Sequence, residues 1–201
     1  MQVFIKANHC HHLCVLALAL LTNASWGGEV LFLDGGYTEF CASVAKQVER
    51  PEQVSVTGSR LSVAPLEICN RAVAEKTVSR SEAAGNYNNR GVIYFAQSAY
   101  AEARSDFEQA IRLQPNLAVA HVNLGYTYVA EQRWAEALGP LDRGIELGPE
   151  EPAKAYYNRG IANEESGNIA EAYRDYLKAA ELDPAWEAPR RELTRFTVRR
   201  S

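Results

Sequence analysis

Three stretches of the chain carry the same spacing of small and bulky apolar residues. In each stretch a small residue is followed four positions later by a bulky one, and three positions after that by a second small residue. The three sets are Ala103, Phe107 and Ala110; Ala137, Leu141 and Gly144; and Ala172, Tyr176 and Ala179. Residues separated by three or four positions share one face of an α-helix, so each stretch predicts a helix with one apolar face. Because proline cannot continue a helix, each is predicted to end at a Leu-x-Pro sequence, at Pro115, Pro149 and Pro184.

A glycine precedes the first alanine of each set by twelve positions. Gly91, Gly125 and Gly160 are separated by 34 and 35 residues, and each follows an asparagine two positions earlier. Two antiparallel helices approach closely only where one offers a small side chain to the bulk of the other. The glycines therefore predict a first helix in each unit that crosses the apolar helix after it.

Aromatic residues occupy matching positions of these first helices. The early turn holds Tyr87, His121 and Tyr156, and the later turn holds Tyr94 and Tyr128. The third unit has Asn163 in the later position. We therefore expect weaker packing in the third unit, as is common near the end of a stack of repeats.

Residues 84 to about 186 thus resemble three consecutive tetratricopeptide repeats, through the sequences Asn-Asn-Arg-Gly, Val-Asn-Leu-Gly and Tyr-Asn-Arg-Gly and the alanines at matching offsets. The resemblance implies an all-α fold, a right-handed α-solenoid of three helix hairpins. It also implies a concave face, lined by the first helix of each unit, that binds peptides or other proteins. One extra residue within 148–152 predicts a longer turn between the second and third units.

The residues ahead of the first repeat predict a degenerate helical cap. A helix from about 38 to 48 carries Cys41, and residues 62–75 place Leu66 and Cys69 on one face, like the second helix of a repeat. Further along, Ser79 and Glu82 have the spacing of a capping box, so the first repeat helix is predicted to begin at residue 80.

The first 24 residues predict a secretory signal peptide. Lys6 precedes an apolar run of nine residues, 13–21, and small residues follow it, with cleavage expected after Ala24. A membrane anchor would need roughly 20 apolar residues. The protein is therefore expected to be exported, to a periplasm more than to the outside of the cell, with no stable membrane anchor after cleavage.

Removal of the signal peptide leaves two cysteines, Cys41 and Cys69. In an oxidising compartment an isolated pair of this kind favours a disulfide over two free thiols. A cysteine-bearing helix, a second such helix and then Asn-Arg-Gly repeats also resemble a group of small exported bacterial tetratricopeptide proteins, which implies the same bond.

The remaining segments flank the repeats. Residues 30–33, Val-Leu-Phe-Leu, predict a short extended piece. Trp186, Leu193 and Phe196 have helical spacing and predict a capping helix with arginines on its outer side: Arg190, Arg191, Arg195, Arg199 and Arg200. Two interpretations of these arginines are open: a polar cap that keeps the repeats soluble, or a docking patch for an acidic partner or lipid.

The predicted organisation covers the whole chain in seven parts. They are a signal peptide (1–24), an extended segment (25–36), a disulfide-linked helical cap (37–78), three repeats (79–116, 117–151 and 152–185) and a capping helix (186–201).

Charge and composition exclude some classes of partner. The 201 residues are 47% hydrophobic and 23% charged, a globular balance, with a net charge of −4. Loss of Lys6 with the signal peptide lowers Lys plus Arg from 21 to 20 against 25 acids, which gives −5. Nucleic acid is therefore not an expected partner.

No catalytic, cofactor or metal site is predicted. One histidine, His121, remains after the signal peptide, and it takes a repeat position that Tyr87 and Tyr156 fill elsewhere, so packing explains it. The glycines lie singly at helix crossings and do not form a phosphate-binding loop. The chain is therefore expected to be a non-catalytic binding module or scaffold.

The resemblance places the binding groove on the first helices. The implied partner-binding residues are Asn88, Asn89, Val92 and Phe95 in the first repeat, Val122, Asn123, Tyr126 and Val129 in the second, and Lys154, Tyr157, Asn158 and Ile161 in the third. This surface is apolar and aromatic and turns acidic at Glu164 and Glu165. The recurring asparagines, Asn89, Asn123 and Asn158, either bond the backbone of an extended peptide or bond within the scaffold.

Some tetratricopeptide proteins hold a chaperone's terminal carboxylate with lysines and arginines from several units. Here only Lys154 and a few asparagines occupy the corresponding places, and Glu164 and Glu165 would oppose an anion. No such clamp is predicted.

Three hypotheses for function follow. The first is an envelope module that binds an extended, apolar or basic segment of another protein in the groove. The second is a homo-oligomer built by end-to-end stacking of the repeats. In the third, residues 30–33 fill the groove and another surface binds.

Overall fold

A computed structural model of the chain describes residues 3–7, 36–49 and 65–200. Its helices are α1 (Gly36–Glu49), α2 (Pro65–Ala74), α3 (Arg80–Ala96), α4 (Tyr100–Leu113), α5 (Ala118–Ala130), α6 (Trp134–Glu146), α7 (Pro152–Glu165), α8 (Ile169–Leu182) and α9 (Glu187–Leu193). Two short strands, β1 (Val3–Ala7) and β2 (Phe196–Arg200), bring the ends of the chain together. None of the helices in these ranges is long and apolar enough to span a bilayer.

The predicted all-α hairpins are confirmed. Helices α3 and α4, α5 and α6, and α7 and α8 form three packed pairs, and each second helix also contacts the first helix of the next pair. The first helices contact one another along the stack, α3 with α5 and α5 with α7. This arrangement is a helical solenoid, in which each hairpin buries its apolar face against its neighbours.

The three glycines allow the close helix crossings that the sequence predicts. A β-carbon at Gly91 would lie 2.6 Å from the ring of Phe107, and one at Gly125 would lie 2.5 Å from Cγ of Leu141. At Gly160 the distance to the ring of Tyr176 would be 2.8 Å. Any side chain larger than hydrogen would therefore push the two helices of the hairpin apart.

The predicted capping box at the start of α3 is confirmed. The Ser79 backbone N–H donates to Glu82 at 2.7 Å, and the Glu82 backbone N–H donates to the Ser79 hydroxyl at 3.2 Å. These bonds satisfy two backbone donors that a helix start leaves free. Hydrogen bonds from the Ser79 side chain and from its backbone N–H hold the pKa of Glu82 below its usual value.

The helical cap packs directly on the first repeat. Cys41 and Ala45 of α1, with Ile68 and Cys69 of α2, share one buried cluster with Val92 and other residues of the first hairpin. The Cα atoms of Cys41 and Cys69 are 4.8 Å apart and the structure joins their sulfurs, although formation of the bond in the protein stays a prediction.

The carboxyl end differs from the predicted capping helix 186–201. Helix α9 ends at Leu193, and residues 196–200 form β2, which pairs antiparallel with β1. The chain turns there because Phe196 is buried against Tyr173 and Tyr176, with ring centroids 5.7 and 5.9 Å away. Strand β1 lies within the predicted signal peptide, while residues 8–35, including the extended 30–33 segment, lie outside the described residues.

Candidate functional site

The first helices carry a row of partly buried aromatic and aliphatic side chains. Phe95 of α3 contacts Tyr126 of α5, with ring centroids 4.8 Å apart, and also contacts Tyr100 at 5.4 Å. Burial raises the pKa of Tyr126, so its hydroxyl stays neutral across the physiological range. Tyr157 and Ile161 extend the row along α7 and are also half-buried. These residues form an apolar surface that runs across all three repeats, and we call it the groove row.

The structure divides the twelve predicted groove residues into three groups. Lys154 is exposed, and seven residues are half-buried: Asn89, Phe95, Val122, Asn123, Tyr126, Tyr157 and Ile161. Four are buried: Asn88, Val92, Val129 and Asn158. Little of each of these side chains is exposed in the free chain, and their contact with a partner stays a prediction.

Val122 also has a packing role. Its Cγ2 would lie 2.6 Å from a β-carbon at Gly144, so the side chain is seated over the glycine of α6. Val122 is therefore less available to a partner than Tyr126, four residues later on the same helix.

The asparagines of the predicted ladder bond largely within the scaffold. The Asn123 amide donates to Asn88 Oδ1 at 3.1 Å, which joins α5 to α3, and the Asn158 amide donates to the carbonyl of Lys154 at 2.9 Å. Each of these amides still has a second N–H, so contact with a peptide is compatible with the scaffold bond. Direct contact by Asn89, Asn123 and Asn158 stays a prediction.

The carboxyl end of the groove is less acidic than the sequence indicates. The side chain of Glu164 is only 10% exposed, and Arg195 donates to it at 2.5 Å. Tyr176 donates to the same carboxylate at 2.9 Å, and burial together with this carboxylate raises the pKa of Tyr176. The outward position predicted for Arg195 was wrong, since its guanidinium pairs with Glu164 and, at 3.0 Å, with Glu192.

The third repeat is not weakly packed at Asn163. This residue is buried, and its amide donates to Asp175 at 3.0 Å while its oxygen accepts from Asn168 at 3.2 Å. The expected defect is therefore wrong, because the asparagine joins a polar network that satisfies it.

In the first hairpin and in the third, an arginine–aspartate pair links the two helices. Arg90 donates to both oxygens of Asp106, each at 2.7 Å, and Arg159 donates to those of Asp175 at 3.0 and 2.6 Å. The hydrogen bond to Asp106 raises the pKa of Arg90. These pairs were not predicted from the sequence, although their equal separation of 16 residues was a signal for them.

The same arginines also reach the preceding second helix. Arg90 donates to Asn70 at 3.1 Å, and Arg159 donates to Asp142 at 2.8 Å. Each guanidinium also lies over a tyrosine ring of its own helix, Tyr87 at 5.5 Å and Tyr156 at 5.3 Å. The pairs therefore fix both the hairpin and its stacking on the previous unit.

Within the described residues, no three His, Cys, Asp or Glu side chains group closely enough to hold a metal ion. The ring Nε2 of His121 lies 2.9 Å from the carbonyl oxygen of Pro115, so the histidine joins the start of α5 to the turn before it.

The fold and the groove row define a helical-repeat protein whose first helices present an apolar surface. Models of the tetratricopeptide repeat match residues 87–117 and 153–186, in the first and third hairpins. A comparison with curated proteins gives no match.

Solved structures show the same fold. The Arabidopsis OM64 tetratricopeptide domain is 21% identical, with a TM-score of 0.56 over 58% of this chain and 96% of that one. MamA 41-end from Desulfovibrio magneticus RS-1 is 18% identical, with a TM-score of 0.59 over 80% of this chain and 84% of that one. The first tetratricopeptide domain of Spaghetti (RPAP3), bound to the HSP90 peptide SRMEEVD, is 27% identical, with a TM-score of 0.55 over 60% of this chain and 94% of that one.

Proposed function

We propose that this chain is a non-catalytic interaction module that is exported to the bacterial periplasm and binds an extended segment of another protein along the groove row. The observation that carries the proposal is the contact of Phe95 with Tyr126, together with Ile161, which packs with Tyr126 against one buried cluster and with Tyr157 against the next. A partly buried apolar row of this kind gives an extended chain a surface on which to bury alternate side chains. Support for export comes from the apolar run and small residues of the first 24 positions.

The similar structure of Spaghetti is bound to the HSP90 peptide SRMEEVD, which supports binding of a peptide segment. The carboxyl-terminal part of the peptide SRMEEVD is acidic. Among the predicted groove positions of the present chain the basic residue is Lys154, and it is already paired with Glu151 at 2.8 Å. Because Arg195 neutralises Glu164, the exposed Glu165 is the acid left of these two, and a basic segment should be attracted only weakly. We therefore propose an apolar segment as the partner.

Peptide selection on the purified chain tests the proposal. Twelve-residue peptides selected from a random phage library should be rich in apolar residues, and calorimetry should give a defined Kd for them. Tyr126→Ala should weaken the best peptide by at least tenfold, the effect of removing an aromatic anchor. Tyr126→Phe should restore most of the affinity because it keeps the ring.

Leu177→Ala serves as the matched control. Leu177 lies on α8, a second helix, and is 39% exposed. Its replacement removes a similar apolar area outside the groove row and should leave the Kd unchanged. Equal losses for Tyr126→Ala and Leu177→Ala, or selected peptides rich in acidic carboxyl-terminal residues, would reject the proposed site.

A further inference from the structure

The middle repeat lacks the arginine–aspartate pair of its neighbours. Leu124 stands where the first and third repeats have Arg90 and Arg159, one position before the glycine. Pro140 stands where they have Asp106 and Asp175, one position before the bulky residue that packs on that glycine. Both charged partners are therefore replaced together, and no lone buried charge is left behind.

A shallow, open cleft of about 430 Å³ lies at this point of the middle repeat. Leu124 of α5, Ile111 of α4, and Gly139 and Pro140 of α6 give it apolar walls, and His121 also lines it. In the neighbouring repeats the guanidinium occupies the matching place, where it bridges its aspartate and the preceding second helix. The cleft is therefore the space that the missing ion pair leaves.

The cleft faces away from the groove row. Leu124 and Tyr126 lie two residues apart on α5, and two residues correspond to roughly 200° around a helix. The other walls come from α4 and α6, which are second helices, whereas the groove row lies on first helices. A ligand in the cleft would therefore not compete directly with one on the groove row.

Two arginines and one acid lie at the rim of the cleft. Arg112 and Arg143 flank it from α4 and α6, against one acid, Glu108. Their present partners are exposed groups on the same helix: Arg112 pairs with Glu108 at 3.9 Å and donates to Gln109 at 2.8 Å, and Arg143 pairs with Glu146 at 3.0 Å. Such pairs contribute little, so both guanidinium groups are available to a carboxylate brought by a ligand.

We propose that this cleft is a second docking site, which takes a bulky apolar side chain flanked by acidic residues from a partner protein. The apolar walls accept the side chain, and the two arginines, one on α4 and one on α6, pair with the flanking carboxylates. Glu108 sits where Asp142 sits in the next unit, but the surplus of arginine at the rim disfavours a basic ligand.

The probe is the peptide acetyl-Asp-Glu-Phe-Glu-Asp-amide, titrated to millimolar concentration into the ¹⁵N-labelled chain. Amide shifts should move at Leu124 and Gly139 and not along the groove row. Replacing the peptide's Phe by Ala, or its acids by lysines, should weaken binding by at least roughly fivefold. Binding of the lysine peptide as tightly as the acidic one, or absence of shifts at the cleft, would overturn the proposal.

Arg143→Glu and Lys178→Glu form a matched pair of variants. The two residues take the same repeat position, and each is an exposed cation paired three residues ahead, with Glu146 and Glu181. Arg143→Glu should weaken the acidic peptide by roughly fivefold, whereas Lys178→Glu should not change it. Equal effects of the two variants would show that binding depends only on the net charge of the chain, and they would overturn the proposal.

Filling the cleft gives an independent test. Leu124→Arg with Pro140→Asp restores the pair of the neighbouring repeats and should abolish binding. If that variant fails to fold, Gly139→Leu serves instead, since nothing lies within 4 Å of a β-carbon at that position. If a folded, filled variant still binds the peptide, the assignment is wrong. Sedimentation gives a second check. Self-association that rises with concentration and depends on Leu124 would mean that a second copy of the chain occupies the cleft, which also contradicts the assignment.

Discussion

The middle repeat and the two repeats beside it reach the same hairpin geometry by different chemistry. All three cross at a glycine packed against a bulky side chain, at distances that leave no room for a β-carbon. The outer two add a bidentate arginine–aspartate pair, and the middle one has leucine and proline at those positions. Shape is therefore set by the small and bulky positions, while the ion pair can be replaced by apolar residues as long as both partners change together.

The outer repeats also differ from the middle one in having only one full repeat as a neighbour. On the amino-terminal side the helical cap substitutes for the missing unit, and Cys41 and Cys69 lie 28 residues apart in sequence within it. A disulfide closing a loop of this length stabilises by roughly 3 to 4 kcal/mol. We expect Cys69→Ser to lower the free energy of unfolding by about this amount, measured by urea denaturation. An unchanged stability after reduction of the wild-type chain would show that the bond does not form.

Removal of a single partner from an ion pair should cost more than its replacement by an apolar pair. Asp175→Ala leaves Arg159 largely buried with Asp142 as its remaining carboxylate, and we expect a loss of about 2 to 3 kcal/mol. Asp106→Ala should have a similar effect, since Arg90 then has no carboxylate partner and keeps the Asn70 side-chain oxygen and the Tyr87 ring. Chemical denaturation measures both, and a loss below about 0.5 kcal/mol would place these pairs among ordinary surface pairs.

The matching substitution in the middle repeat should raise the free energy of unfolding instead of lowering it. Pro140 lies inside α6, where its ring nitrogen cannot donate a hydrogen bond to the carbonyl one turn earlier. Pro140→Ala should therefore stabilise the chain by about 1 to 2 kcal/mol. A loss of stability on the same denaturation curve would mean that the proline packs in a way its neighbours require.

The turns inside the hairpins also differ between the repeats, and this difference should have a smaller effect on stability. Ser98 and Gln132 adopt φ of +59°, which is unfavourable for residues with a β-carbon, whereas the third repeat has Gly167 with φ of +83°. Ser98→Gly and Gln132→Gly should each stabilise by about 0.5 to 1 kcal/mol, and Gly167→Ala should destabilise by about 1 kcal/mol. Thermal melting of the three variants checks these signs, and a uniform sign across them would contradict the interpretation.

Local patterns predicted the frame of this fold from the sequence. Glycines, bulky residues and prolines at a period of 34 and 35 residues predicted the hairpins, and Ser79 with Glu82 predicted the start of α3. Each of these signals acts within one helix or between two helices joined by a short turn.

Contacts between units were harder to predict. Asn88 belongs to the groove by its repeat position, but the amide of Asn123 from the next repeat bonds to it and it is buried. Arg195 belongs to the outer face by helical spacing, yet the chain leaves the helix before it and turns the guanidinium towards Glu164. Such positions depend on how units stack, which the pattern within a single repeat does not specify.

Hydrogen–deuterium exchange of the chain with and without a selected apolar peptide tests most directly whether the first helices form the binding surface. Protection should increase in α3, α5 and α7 around Phe95, Tyr126 and Tyr157, with little change in α4, α6 and α8. Protection confined to the second helices, or spread evenly over all six, would contradict binding on the groove row.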